Sequence, residues 1–211
     1  MKEYHKIETL YERDENTKKL IKDKFRNQTV EFLKDNIWVF TEKVDGTNIR
    51  VYWDGHRIQF GGRTDKAQIP AHLVNRLNEI FGGDANEQLF EQKFGESEVE
   101  LFGEGYGPKI QNGGLYKNSV DFILFDVMIN GNYQPRESVE DIAKYFQIDC
   151  VPILLTGTID EGVEYVLTNR KSSVAENGAE LEGLVGRPAV ELKDRTGKRV
   201  IVKIKYNDFK E

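Results

Sequence analysis

Hydrophobic and polar positions follow two periods along the chain, and these separate strands from helices. Ile49, Val51 and Trp53 alternate with Asn48, Arg50 and Tyr52, which predicts a half-buried strand over 48–53. Asp54-Gly55 then signals a two-residue turn, and 57–60 reads as the returning strand of a hairpin. A short apolar run at 37–41 predicts a strand just before it. Leu20, Ile21 and Phe25 share helical spacing within 16–25. Pro70 opens a helix whose stripe is Leu73, Val74, Leu77 and Ile80. A shorter helix is expected over 87–94, and strands over 98–102 and 121–127. Ser138, with Asp141 at the capping-box position, predicts a helix carrying Val139, Ile142, Ala143 and Phe146. Another helix is expected from Asp160 to about Ser172. A final hairpin, 181–192 and 199–206, turns at Thr196-Gly197. Antiparallel hairpins with helices outside them predict an α+β fold.

Composition narrows the class. The 211 residues suit one domain or a lean pair, and no Pro/Gly/Ser-rich linker divides them, so a single domain over 1–211 is expected. Apolar residues make up 38% and charged residues 31%, yet 12 Phe, 9 Tyr and 2 Trp supply a core. Cys150 is the single cysteine, so no intrachain disulfide forms, which fits a reducing cytosol. The first residues lack a secretory h-region, and no apolar run approaches the roughly 18 residues of a membrane span. A soluble, cytoplasmic protein is expected, in the host cytoplasm if a phage encodes it. Net charge is −6, which argues against a non-specific nucleic-acid coat. The last 29 residues, from Gly183, hold 8 Lys+Arg against 4 Asp+Glu, a net of +4, which leaves −10 on the rest. Such a basic region can still bind phosphates.

Several motifs fail. The stretch "GEGYGPKI" lacks the Gly-Lys-Ser/Thr ending of a phosphate loop. His5, His56 and His72 have no metal-ligand spacing, and no Gly-x-Ser-x-Gly elbow exists. Cys150 reads as a small packing residue.

Lys43 is more informative. A lysine attacks phosphorus only as the free amine, yet its side chain ordinarily titrates near ~10.4. Burial or nearby positive charge lowers that value. Lys203 and Lys205 are spaced by two, so on a strand both project to one face, with Val202, Ile204 and Tyr206 on the other. Two ammonium groups there would clamp phosphates and depress a third lysine. Glu104 and Glu182 sit at strand ends beside glycines, where a ligand can approach closely. Phe125 reads as core, whereas Asp126 beside it needs partners if buried.

Lys43-Val44-Asp45-Gly46 matches the K-x-D-G nucleophile motif of covalent nucleotidyltransferases. It is followed in order by "GGRTDK", "LFGEGYGPKIQ", "FILFDV", "EGLVGRP" and "VKIKYNDF", which together span nearly the whole chain. This series closely resembles the phage RNA ligase 2 branch of the ATP-dependent RNA ligases, and "FGEGYGPKIQ" is a specific match to that branch. Asp45 departs from it, being the acid of the wider ligase and capping superfamily where the phage branch can carry histidine.

The resemblance implies antiparallel sheets with flanking helices, in a ligase-type nucleotidyltransferase (ATP-grasp-like) domain. It implies that Lys43 attacks the α-phosphate of ATP and carries AMP, and that Asn48 and Arg63 lie around that phosphate. Glu104 would hold the ribose hydroxyls, Phe125 would stack on adenine, and Glu42 would help read the base. Lys203 and Lys205 would contact the α-phosphate. Glu182 would act near Mg²⁺ (or Mn²⁺) through water, with Asp45 a second metal contact and Asp126 a third candidate. The expected partners are RNA ends or nicked duplex RNA. The chain ends six residues after Lys205, too few for an OB or helical domain, so an accessory domain or protein partner would assist sealing. Two other classes remain open at this point: a DNA ligase or GTP-dependent capping enzyme, and a non-catalytic module that binds nucleotides or RNA ends.

Overall fold

The computed structural model describes residues 1–210. In chain order the strands are β1 (Glu8–Thr9), β2 (Tyr11–Arg13), β3 (Leu20–Phe25), β4 (Trp38–Lys43), β5 (Thr47–Trp53), β6 (Ile58–Gly62), β7 (Val99–Tyr106), β8 (Asp121–Ile129), β9 (Asn132–Tyr133), β10 (Asp149–Cys150), β11 (Ile153–Gly157), β12 (Gly183–Pro188) and β13 (Val202–Lys205). The helices are α1 (Gln28–Phe32), α2 (Ala71–Phe81), α3 (Asp84–Phe94), α4 (Arg136–Tyr145) and α5 (Ile159–Thr168). The α+β class and its mainly antiparallel pairing agree with the sequence pattern. Two short pairings are parallel, β1 with β13 and β10 with β8. No helix among the described residues is long and apolar enough to cross a membrane.

Contacts gather the chain into two compact units, each built from separate segments. The first comprises Met1–His5 and Asp45–Val151. Its sheet runs β10-β8-β7-β5-β6, with β9 on β8. Ile49, Val51 and Trp53 are buried on one face, as their alternation requires, and pack with Leu73, Leu77 and Phe81 of α2 and Phe90 of α3. The β7–β8 ladder shifts register: Phe102 pairs with Asp126, but Gly103 pairs with Leu124. Phe125 is the extra residue of this bulge, a device that re-aims a side chain. A Cβ on Gly103 would lie 2.2 Å from Cζ of Phe122 and 2.5 Å from the Ile123 carbonyl oxygen. Gly103→Ala is therefore expected to lower stability by about 1–3 kcal/mol, read as an earlier urea midpoint.

The second unit comprises Lys6–Val44 and Pro152–Glu211, described to residue 210. Its sheet runs β1-β13-β12-β4-β11. Trp38, Phe40, Leu184 and Ile204 are buried against Ile159 and Val166 of α5. Thr158 and Glu161 cap that helix reciprocally.

Three predicted elements are corrected. Residues 16–25 form no helix: 20–25 is β3, paired with β2. Asp14 Oδ1 accepts from the backbone N–H of Asn16 at 3.0 Å and Thr17 at 2.7 Å, a local turn that competes with helix. Phe25 is then placed opposite Tyr11, ring to ring at 5.1 Å. Ser138 caps nothing, because α4 begins at Arg136, with Pro135 in extended backbone as the residue before it. Helix α5 ends at Thr168, not near Ser172, and Ser172 is used elsewhere.

Candidate active site

Strand register places the lysines. Gly183 pairs with Lys43 on one side and Lys205 on the other, so these three form one row across β4, β12 and β13. Thr41, Val185 and Lys203 form the next row on the same face. All three lysines thus project from one face, and Phe40, Leu184 and Ile204 project from the other. Glu182 joins the row from the residue before β12. It accepts from Lys43 Nζ at 2.6 Å and pairs with Lys205 Nζ at 2.8 Å, one ammonium on each carboxylate oxygen. Gly183 lets β12 lie close to β13 here, because a Cβ there would lie 2.1 Å from the Ile204 carbonyl oxygen. Burial, then the positive charges of Lys43 and Lys205, holds the Lys203 amine below the ordinary lysine value.

Glu42 does not join this face. It follows Thr41 and so points to the opposite side, where it is 2% exposed. Its carboxylate accepts from the Ser172 hydroxyl, from Ser173 N–H at 2.9 Å and from the Ser173 hydroxyl at 2.6 Å. This grip ties the strand that ends in Lys43 to the segment after α5. Ser173→Ala is expected to cost about 1.5–3 kcal/mol, since it removes a hydrogen bond to a buried charge; chemical denaturation checks it.

The other candidates lie in the first unit; the chain passes between the units at Val44–Asp45, inside the K-x-D-G motif. Asp45 is held by residues that follow the "FGEGYGPKIQ" stretch. Asn112 Nδ2 donates to Asp45 Oδ2 at 3.2 Å, and the Tyr116 hydroxyl lies 3.3 Å from the Asp45 amide. Asn48 pairs with Glu104 across β5 and β7, so both side chains share one face. Gly46 leaves room for Glu104, whose Cγ would lie 2.8 Å from a Cβ at that position. Asn48 Oδ1 is buried with no hydrogen-bond partner, an acceptor that a ligand donor would satisfy. Arg63 is exposed, one residue after Gly62, which pairs with Ile49 beside Asn48. Phe125 is half-buried at the bulge. Asp126 is 1% exposed and accepts from the Tyr4 hydroxyl at 2.9 Å, the partner its burial demands.

Arg50 is a residue that sequence reasoning missed. Its side chain is fully buried, donating from Nε to the Gly62 carbonyl at 2.6 Å and pairing with Asp65 at 2.8 Å. It anchors the strand end from which Arg63 emerges. The only signal was a charged residue within an apolar alternation.

Among the described residues, no group of three or more His, Cys, Asp or Glu side chains could cage a metal ion. Asp126 is committed to Tyr4, and Asp45 to Asn112. Glu182 is the carboxylate set among the lysines. Such a donor set fits a magnesium-like cation carried mainly by phosphate oxygens and water, with one carboxylate assisting.

The RNA ligase family model matches residues 36–205. A search of curated protein sequences returned no match. Among solved structures, the fold is similar to Naegleria gruberi RNA ligase with PPi, at TM-score 0.64 and 22% identity over 86% of this chain and 53% of that one. A mutant of that ligase with ATP and Mn gives TM-score 0.64 and 20% identity over 86% and 52% of the two chains. Another mutant with ATP and Mn gives TM-score 0.65 and 20% identity over 97% and 60%. The chain thus spans between 52% and 60% of the length of these structures. With 36–205 covering most of its length, the chain belongs to the RNA ligase family.

Proposed function

We propose that the protein is an ATP-dependent RNA ligase that joins a 5′-phosphate to a 3′-hydroxyl through AMP carried on Lys43. The observation that carries this reading is the shared face on which Lys43 and Lys205 pair with Glu182 and Lys203 projects from the next row. Three lysines and one carboxylate on this face leave an excess of positive charge suited to phosphate. Lys43 Nζ, once deprotonated, bonds to the α-phosphorus while the bond to pyrophosphate breaks. Lys203 and Lys205 offset the charge that gathers on the α-phosphate oxygens. Glu182 is the residue that would hold the divalent cation, which shields phosphate charge and stabilises the leaving pyrophosphate.

Nucleoside recognition is assigned to Asn48, Glu104 and Phe125. Glu104 and Asn48 present acceptors on one face, chemistry that fits ribose hydroxyls. Phe125 offers a ring for adenine, and Arg63 a charge for phosphate. The AMP passes from Lys43 to the RNA 5′-phosphate, forming a phosphoanhydride. The 3′-hydroxyl then attacks, the phosphodiester forms and AMP leaves.

Ligation assays on matched RNA, DNA and hybrid nicks test the substrate class. RNA sealing with ATP and a divalent cation is expected. Sealing of all-DNA nicks alone, or labelling by GTP in preference to ATP, would contradict the proposal.

A further inference from the structure

The residues before β1 are used in a way the function above does not explain. Met1–His5 belongs to the first unit and lies against the sheet face that carries Asn48, Glu104 and Phe125. It is fastened along its length. The Lys2 amide donates to the Glu100 carboxylate, and Glu3 accepts from the Asp65 amide at 3.3 Å. His5 Nδ1 lies 3.3 Å from the Tyr133 hydroxyl. Tyr4 is only 7% exposed.

Tyr4 touches both consecutive residues of the bulge. Its ring meets Phe125 edge-on, with centroids 5.1 Å apart and planes at 68°. Its hydroxyl donates to Asp126 at 2.9 Å. Phe102, opposite the bulge, packs on the same ring at 4.9 Å. Phe125 needs such support, because a bulged residue lacks a ladder partner to hold its backbone. Its ring is only half-buried, and the Tyr4 edge packs against it.

We propose that Tyr4 is a positioning residue for nucleotide recognition: its ring edge and hydroxyl hold Phe125 in the one orientation that presents a flat face to the base. This rests on the reading of Phe125 as the adenine platform. A platform held ready binds without first being ordered, whereas a mobile one loses affinity by the fraction of time it is misplaced. Edge-to-face aromatic pairs reach about 1.5 kcal/mol, which corresponds to about tenfold in affinity.

The test measures ATP binding at equilibrium and the ATP dependence of protein labelling. Tyr4→Ala is expected to raise the ATP dissociation constant and half-saturating concentration about tenfold, with the plateau labelling rate nearly unchanged. Tyr4→Phe keeps the ring edge and is expected to recover most of the loss. In a Phe125→Ala background, Tyr4→Ala is expected to add little. A folded Tyr4→Ala protein with wild-type ATP affinity overturns the proposal, as does full additivity of the two substitutions. If Tyr4→Ala does not fold, Tyr4→Leu decides, since it keeps apolar bulk but removes the ring edge: wild-type ATP affinity in a folded Tyr4→Leu protein overturns the proposal. A wild-type protein that binds ATP but forms no adduct sinks the ligase reading while the affinity comparison still judges Tyr4. One that binds no ATP overturns both.

Discussion

Lys205→Ala is expected to slow transfer of AMP to the protein by about 10²- to 10³-fold at saturating ATP, the loss typical when one preorganised charge donor is removed from a reaction centre. The substitution acts twice. It takes a cation from the phosphate-facing row, and it leaves Glu182 paired with Lys43 alone, where two ammonium groups now share the carboxylate. The remaining positive charge opposing the phosphates is then reduced to that of Lys203. Arginine at 205 is expected to restore only part of the rate, because a planar fork cannot reproduce the position of a compact ammonium. Single-turnover labelling separates this from weaker ATP binding. A Lys205→Ala protein that labels at the wild-type rate would remove the lysine row from the chemistry.

Arg50→Ala is expected to be the most destabilising single change in the first unit, by about 3–5 kcal/mol. The guanidinium is completely buried, and its loss leaves both a cavity and the Gly62 carbonyl without its donor. Asp65, by contrast, is largely exposed at 73% and remains hydrated, so Asp65→Ala is expected to cost far less. Urea unfolding of the two variants tests the asymmetry. Equal losses would show that the ion pair, not the buried guanidinium, carries the stability.

The parts of this fold that the sequence disclosed were those with a local cause. The alternation over 48–53, the turn at Asp54-Gly55 and the stripe of α2 each depend on neighbours a few residues away. The shared face of Lys203 and Lys205 was legible for the same reason, since a spacing of two fixes one face on any strand. The helix expected over 16–25 failed because Asp14 captures the following amides and Phe25 gains a ring partner in Tyr11. Neither effect appears in a periodicity. The grip of Ser172 and Ser173 on Glu42 joins residues about 130 positions apart. The contact of Tyr4 with Asp126 spans 122. The bulge that singles out Phe125 is a register shift between β7 and β8, which pattern alone presents as a continuous apolar strand.

In the proposed reaction Lys43 becomes covalently bound to AMP. The most direct measurement incubates the protein with ATP and a divalent cation, digests it, and locates any added adenylate by mass spectrometry. One adenylate is expected on Lys43 and none on Lys203 or Lys205, with no adduct in Lys43→Ala. An adenylate on either other lysine, or a Lys43→Ala protein that still takes up AMP, would contradict it.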